Sequence, residues 1–148
     1  MAENNNPFYK FLNNKSEYGF EIPDVSMFGM LKMSANSHPE AIAIDYFGKK
    51  YTYKNLVDKI ENVSHVIYGM GVRKGDVVTV LMPNTPEAVI SIYALNRLGA
   101  ISNVVHPLSA QEEIKNYLIS CKCRFLFCVD KCIEKIEKIS EETYLEKI

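Results

Sequence analysis

Val77-Val78-Thr79-Val80-Leu81-Met82, followed by Pro83-Asn84-Thr85-Pro86-Glu87, is the stretch on which the fold turns. The first six residues are uncharged and rich in β-branched side chains, and they read as a strand covered on both faces. The next five carry a helix start, with Asn84 as cap, Pro86 in the first turn and Glu87 three residues after the cap. That helix runs to about Leu98. It is apolar nearly all round (Ala88, Val89, Ile90, Ile92, Tyr93, Ala94, Leu95), which predicts a central position.

Downstream the same alternation recurs. Ile101 to Val105 reads as a second short buried strand. Ser109-Ala110-Gln111-Glu112 reads as a second capping box, and the helix behind it presents Ile114, Tyr117 and Leu118 to a core. Phe125 to Val129 is the third strand. Lys131 to Ile139 is a charged helix with Ile133 and Ile136 inside. Strand and helix in alternation predict right-handed crossovers and a mostly parallel sheet. The class is α/β, flavodoxin-like or Rossmann-like, with helices flanking the sheet. Ser140 to Ile148 shows no stop signal and no pairing strand, so the expectation is a chain that ends mid-domain.

Upstream, Leu56, Ile60, Val63, Ile67 and Met70 recur at helical steps, and Gly69 and Gly71 close that amphipathic helix. Ala41 to Tyr46 and Lys50 to Tyr53 form a hairpin about Phe47-Gly48-Lys49, expected at the edge of the sheet. Val25 to Ala35 carries a helical spacing of Phe28, Leu31 and Lys32, ended by Ser37-His38-Pro39. Residues 1–24 are polar and Asn-rich with scattered aromatics (Phe8, Tyr9, Phe11, Tyr18, Phe20), and read as an extended arm. Residues 25–148 read as one α/β subdomain.

Composition narrows the function classes. The 148 residues are 47 % hydrophobic and 24 % charged, as for one globular domain or part of one. Seventeen basic residues face eighteen acidic ones, for a net charge of -1, without a basic block. A nucleic-acid partner calls for a basic stripe, so none is expected. The longest apolar run, Ala88 to Leu95, is far short of the roughly 20 residues of a transmembrane helix. The polar start, Met1 to Asn6, is not a secretory signal, and the reading is cytoplasmic.

Cys121, Cys123, Cys128 and Cys132 are spaced C-x-C-x4-C-x3-C. Zinc sites favour C-x2-C pairs on turns, whereas the middle of this run is strand, whose side chains alternate faces. The reading is reduced thiols, with no metal ligand among them. Gly69-Met70-Gly71 with Gly75 is not a dinucleotide fingerprint, since a helix precedes it and a strand follows. No G-x-x-x-x-G-K-[ST] loop occurs. Of the histidines, His38 precedes Pro39 in a loop and His65 lies beside an apolar helix stripe. His106 stands at the carboxyl end of a predicted strand, where open α/β sheets place ligands. No catalytic set can be assembled from these residues.

Several segments together carry a resemblance. Tyr51-Thr52-Tyr53-x-x-Leu56 is similar to the first core motif of the adenylate-forming, AMP-dependent synthetases and ligases, with Asn55 in place of the usual glutamate. Gly71-Val72-x-Lys74-Gly75-Asp76-x-Val78 resembles the Gly-Val-x-Lys-Gly-Asp-x-Val turn of that family. Asn84, Glu87, Ala94, Leu98, Gly99 and Ala100 fall where its second core motif and adjoining helix stand, and His106-Pro107 replaces a common Asn-Pro. The likeness runs from Ser37 to Asp130.

The resemblance implies the first subdomain of the large N-terminal domain of an acyl-CoA synthetase, truncated before the ATP-binding motifs. It implies, for the parent, joining of a small-molecule carboxylate to AMP from ATP with Mg²⁺, then transfer to CoA, most simply as a fatty acyl-CoA synthetase. The family's phosphate loop, ribose-binding aspartate and mobile lysine match nothing here. No catalytic, cofactor-binding or metal residue is therefore assigned, and the chain alone is expected to be inactive and to bind no cofactor. Its expected partners are the remainder of the parent chain and, through exposed apolar surface, a second copy. An amino-acid adenylation domain of a peptide synthetase and a stand-alone flavodoxin-like binding module are the alternatives.

Overall fold

Val78, Thr79, Val80 and Leu81 have no exposed surface, because the strand they form lies in the middle of the sheet. The computed structural model describes residues 24–148; the arm proposed for residues 1–24 lies outside this range except for Asp24. In chain order the elements are α1 (Met27–Ser37), β1 (Ile42–Tyr46), β2 (Lys49–Thr52), α2 (Tyr53–Gly69), β3 (Val77–Leu81), α3 (Pro86–Leu98), β4 (Ile101–Val104), α4 (Gln111–Ser120), β5 (Phe125–Cys128) and α5 (Ile133–Ser140), with a 3-10 turn at Asp130–Cys132 before α5.

The sheet order is β4-β3-β5, all parallel, with Val77 opposite Ile101 and Val78 opposite Phe125. The first parallel strand of the chain is therefore central, which is the flavodoxin-like arrangement. Alternation along β3 feeds two cores. Val78 and Val80 join Phe28, Leu56, Ile60, Ile67, Ala94, Leu95 and Phe125 on the side of α1, α2 and α3. Leu81 joins Ile114, Leu118, Leu126, Ile136 and Ile139 on the side of α4 and α5.

Local chemistry sets the boundaries. Thr52 caps α2, its hydroxyl accepting from the Asn55 N–H. The cap of α3 is Thr85, not Asn84: Thr85 is extended, and its Oγ1 accepts from the Ala88 N–H at 3.3 Å. Pro86 then takes the first helical position, where its missing N–H costs nothing, and Glu87 stands too early to close a capping box. The box expected at Ser109 is likewise absent, because Ala110 occupies the cap position with no side-chain bond. Gly99 ends α3 at φ 72, a conformation that favours glycine.

Three expectations are corrected, two of burial and one of pairing. β4 is an edge strand, with Ile101 55 % and Val104 59 % exposed; a short apolar run does not reveal which strands will have two neighbours. Tyr117 and Ile133 face outward, while Ile139 is buried beside Ile136. The end of the chain does pair: the Glu146 N–H donates to the Arg124 carbonyl, and the Leu126 N–H donates to the Lys147 carbonyl. A parallel bridge between Phe125 and Lys147 thus opens a fourth position next to β5.

The hairpin is an antiparallel sheet of its own, with a bulge between Ile42 and Ile44. It attaches to the N-terminal end of α2, where the Tyr53 N–H donates to the Ala41 carbonyl and the Lys54 N–H to the Pro39 carbonyl. Phe47 (φ 50) and Gly48 (φ 82) form its two-residue turn, and Lys49 already belongs to β2.

Candidate functional site: the carboxyl edge of the sheet

In open α/β sheets ligands collect where strands deliver their carboxyl ends. Here three loops meet at that edge: Met82 to Thr85 after β3, Val105 to Ala110 after β4, and Val129 to Cys132 after β5. The second and third are laced together. Lys135 Nζ of α5 donates to the carbonyls of Ser109 at 2.6 Å and Pro107 at 3.3 Å, and the buried Cys132 thiol approaches the same Pro107 carbonyl at 3.8 Å. His106 is exposed, and its Nδ1 accepts from the Leu108 N–H. With Asn103, Ser109 and Tyr117 it borders a shallow depression. There the Tyr117 hydroxyl donates to Glu113 at 2.8 Å; this bond, and a second from Ser109, hold the Glu113 carboxyl below the usual carboxylate range.

The helix starts at this edge are poorly suited to the phosphates of a nucleotide. All three helices that follow the strands begin with acids: Glu87 in α3, Glu112 and Glu113 in α4, Glu134 in α5. Each places negative charge on the helix end that would otherwise attract an anion. The loop after β3 contains no glycine, Pro83 within it and Pro86 just after it have no N–H to offer, its Thr85 N–H is spent on the Pro83 carbonyl, and its Thr85 hydroxyl is spent on the cap. No step of nucleotide chemistry can be derived from the described residues.

What the structure does expose is an apolar cleft of about 520 Å³ along the free edge of β5. Ile67 of α2, Met70 just after it, Met82, Phe127, and Ile133 of α5 line it, as does Ile148. The fourth strand position opened by Lys147 adjoins it. Sequence reasoning missed this cleft; the signal available was Ile133, an apolar residue in a charged helix.

The four cysteines are free: Cys123 and Cys132 are buried in the core on the α4 and α5 side, and Cys121 and Cys128 pack against it half-buried. Cys123 Sγ lies 2.9 Å from Thr79 Oγ1 inside the sheet, and Asn103 Nδ2 donates to the same hydroxyl at 3.1 Å. Burial pushes the Cys123 thiol up, and burial also raises Cys128. Among the described residues, no three His, Cys, Asp or Glu side chains are gathered as a metal site. His38 and His65 are exposed and far from this edge in sequence and element.

The segment from Gly71 to Val78 is a structural turn. Asp76 Oδ2 accepts from the Arg73 N–H at 2.7 Å, the Gly75 N–H donates to the Gly99 carbonyl, and the Ile101 N–H donates to the Asp76 carbonyl. The turn thereby fixes the start of β3 against the end of α3. The Arg73 guanidinium lies 3.8 Å over the Tyr68 ring and donates to the Tyr68 and Val72 carbonyls.

With that geometry in place, comparison with known proteins is decisive. Residues 31–147 match the model of the AMP-binding enzyme family. The chain belongs to the AMP-binding enzymes. Among curated members it is 34 % identical over 131 residues to the acetyl-coenzyme A synthetase of Phycomyces blakesleeanus, covering 78 % of this chain and 20 % of that protein. It is 26 % identical over 135 residues to the long-chain-fatty-acid–CoA ligase of Bacillus subtilis, covering 91 % of this chain and 24 % of that one. A crystal structure of a long-chain-fatty-acid-CoA ligase from Archaeoglobus fulgidus superposes with a TM-score of 0.81 at 23 % identity, over 86 % of this chain and 27 % of that one. The chain thus spans a fifth to a quarter of the length of these AMP-binding enzymes. The family match extends past the Ser37–Asp130 segment at both ends, and so takes in most of α1 and the paired tail.

Proposed function

We propose that this chain is the N-terminal subdomain, residues 25–148, of an AMP-forming acid–thiol ligase. The parent would join a carboxylate to AMP from ATP and pass the acyl group to coenzyme A. The observation that carries the reading is the family match over residues 31–147 on a flavodoxin-like scaffold. The acid-tipped helices and glycine-free loop of the carboxyl edge support a scaffold role for this subdomain, with nucleotide handling elsewhere in the parent.

For the carboxylate, acetate or a similarly short acid is favoured by the 34 % identity to an acetyl-coenzyme A synthetase. A fatty acid is the second reading, favoured by alignment of 91 % of the chain with a long-chain ligase. The apolar cleft beside β5 is the surface offered to the remainder of the parent; when that is missing, a second copy would cover it.

Two measurements test this. The parent should release pyrophosphate when given ATP, Mg²⁺, coenzyme A and acetate, and more slowly with a long-chain acid; release with neither overturns the assignment. The 148-residue chain alone should release none above buffer, and turnover by it would refute the scaffold role.

A further inference from the structure

Phe47 is 94 % exposed, more than any other large apolar residue described. It occupies the first central position of the β1–β2 turn at φ 50, followed by Gly48 at φ 82. Turns of this kind favour Asn, Asp or Gly at both positions, and a bulky side chain is disfavoured there. Phe47 gains little locally in return. The Tyr46 ring meets it edge-on at 4.7 Å and leaves it almost wholly in solvent. The turn is held instead by Asp45, whose Oδ1 accepts from the Gly48 N–H at 3.2 Å.

Lysines stand behind this ring. Lys49 and Lys50 follow the turn, and Lys54 and Lys59 are exposed on α2. The ammonium groups of Lys49 and Lys59 lie 5.4 Å and 5.9 Å from the centroid of the buried Tyr51 ring. Carboxylates oppose some of them: Asp45 is 4.0 Å from Lys50, and Asp58 and Glu61 border the same depression as Lys54. The hairpin joins α2 at its N-terminal end, whereas the β5 cleft uses Val63 and Ile67 of its C-terminal half and Met70 just beyond it.

We propose that the β1–β2 tip is an interfacial anchor, placing Phe47 at the headgroup–acyl boundary of an anionic lipid surface with Lys49 and Lys50 against its charged headgroups. A lone aromatic on a narrow tip suits insertion between lipids, and lysines behind it suit a negative surface. A protein partner would call for a broad surrounding contact of roughly 800 Å² a side, which a two-residue turn does not present. One ring and two lysines make this binding weak and reversible.

Sedimentation of the 148-residue chain with phosphatidylcholine vesicles, with and without one-third phosphatidylserine, tests this. The chain should partition onto the anionic vesicles and much less onto the neutral ones. Phe47→Asn, a residue the turn accepts, should reduce partitioning about tenfold while the melting temperature stays level or rises; the paired change Lys49→Gln and Lys50→Gln should act similarly. Equal partitioning of the unaltered 148-residue chain and its Phe47→Asn variant, or no partitioning at millimolar lipid, overturns the proposal. So does Phe47-dependent self-association without vesicles, which would assign the tip to a protein contact.

Discussion

The backbone N–H of Phe28 donates to Oδ1 of Asn96 at 2.9 Å, across 68 positions of sequence. This bond fastens the first turn of α1 to the last turn of α3. Next to it Arg97 donates to the buried Ser64 hydroxyl at 2.8 Å, with its guanidinium 5.7 Å from the Phe28 ring centroid. Three helices are thus pinned at one point, above the core that holds Phe28, Leu56 and Leu95.

Asn96→Ala leaves the part-buried Phe28 N–H without its acceptor and should cost about 1–2 kcal/mol. Urea unfolding measures the loss. Asn96→Asp keeps an acceptor at the same place and should recover most of it; an aspartate variant as weak as the alanine would show that the bond does not stabilise the fold.

Gly99 closes α3 at φ 72, and a Cβ built there would stand 2.9 Å from Lys74 Cγ. Gly99→Ala therefore combines backbone strain of about 1–2 kcal/mol with a displaced lysine. In thermal unfolding, adding Lys74→Ala should restore the steric part and leave the backbone part. Full recovery in the double variant would mean that the left-handed conformation carries no cost.

Alkaline pH should weaken the fold through Cys123. Burial raises its thiol in the folded state, so the unfolded chain loses this proton first. Its contribution is complete below the unfolded thiol value, near 8.5, and is lost as pH climbs from there through the folded value. Denaturant midpoints between neutral and alkaline pH should fall, and Cys123→Ala should flatten the fall. An unchanged slope in that variant would assign it to other groups.

Arg124 holds the end of the chain with a two-point ion pair to Glu146, at 2.7 Å from Nε and 2.9 Å from Nη2. Arg124→Ala should free the tail from β5. Amide exchange at Leu126, whose N–H bonds the Lys147 carbonyl, reports this directly. Exchange there should quicken while Val78 and Val80, in the central strand, stay protected.

How far the sequence could be read differs from element to element. Val77 to Leu81 announces a doubly covered strand, and the periodicity from Leu56 to Ile67 announces α2, because burial repeats at the period of the backbone itself. The cap of α3 was one residue off, since Asn84 and Thr85 are both good caps and only the extended backbone at Thr85 selects between them. The family segments were legible through their order and spacing. The gathering of acids at the carboxyl edge was not, although Glu87, Glu112, Glu113 and Glu134 were all in view. Their meaning depends on three helices starting at the same edge.

By itself, then, the sequence determined the element types, the α/β class and the kinship with AMP-binding enzymes, because local period and short-range spacing suffice for each. Only the tertiary structure decided that β4 is an edge, that Lys147 opens a place beside β5, and that Asn96 reaches Phe28. Those facts depend on which segments become neighbours, and loop-closed contacts between residues far apart leave no periodic trace in the chain.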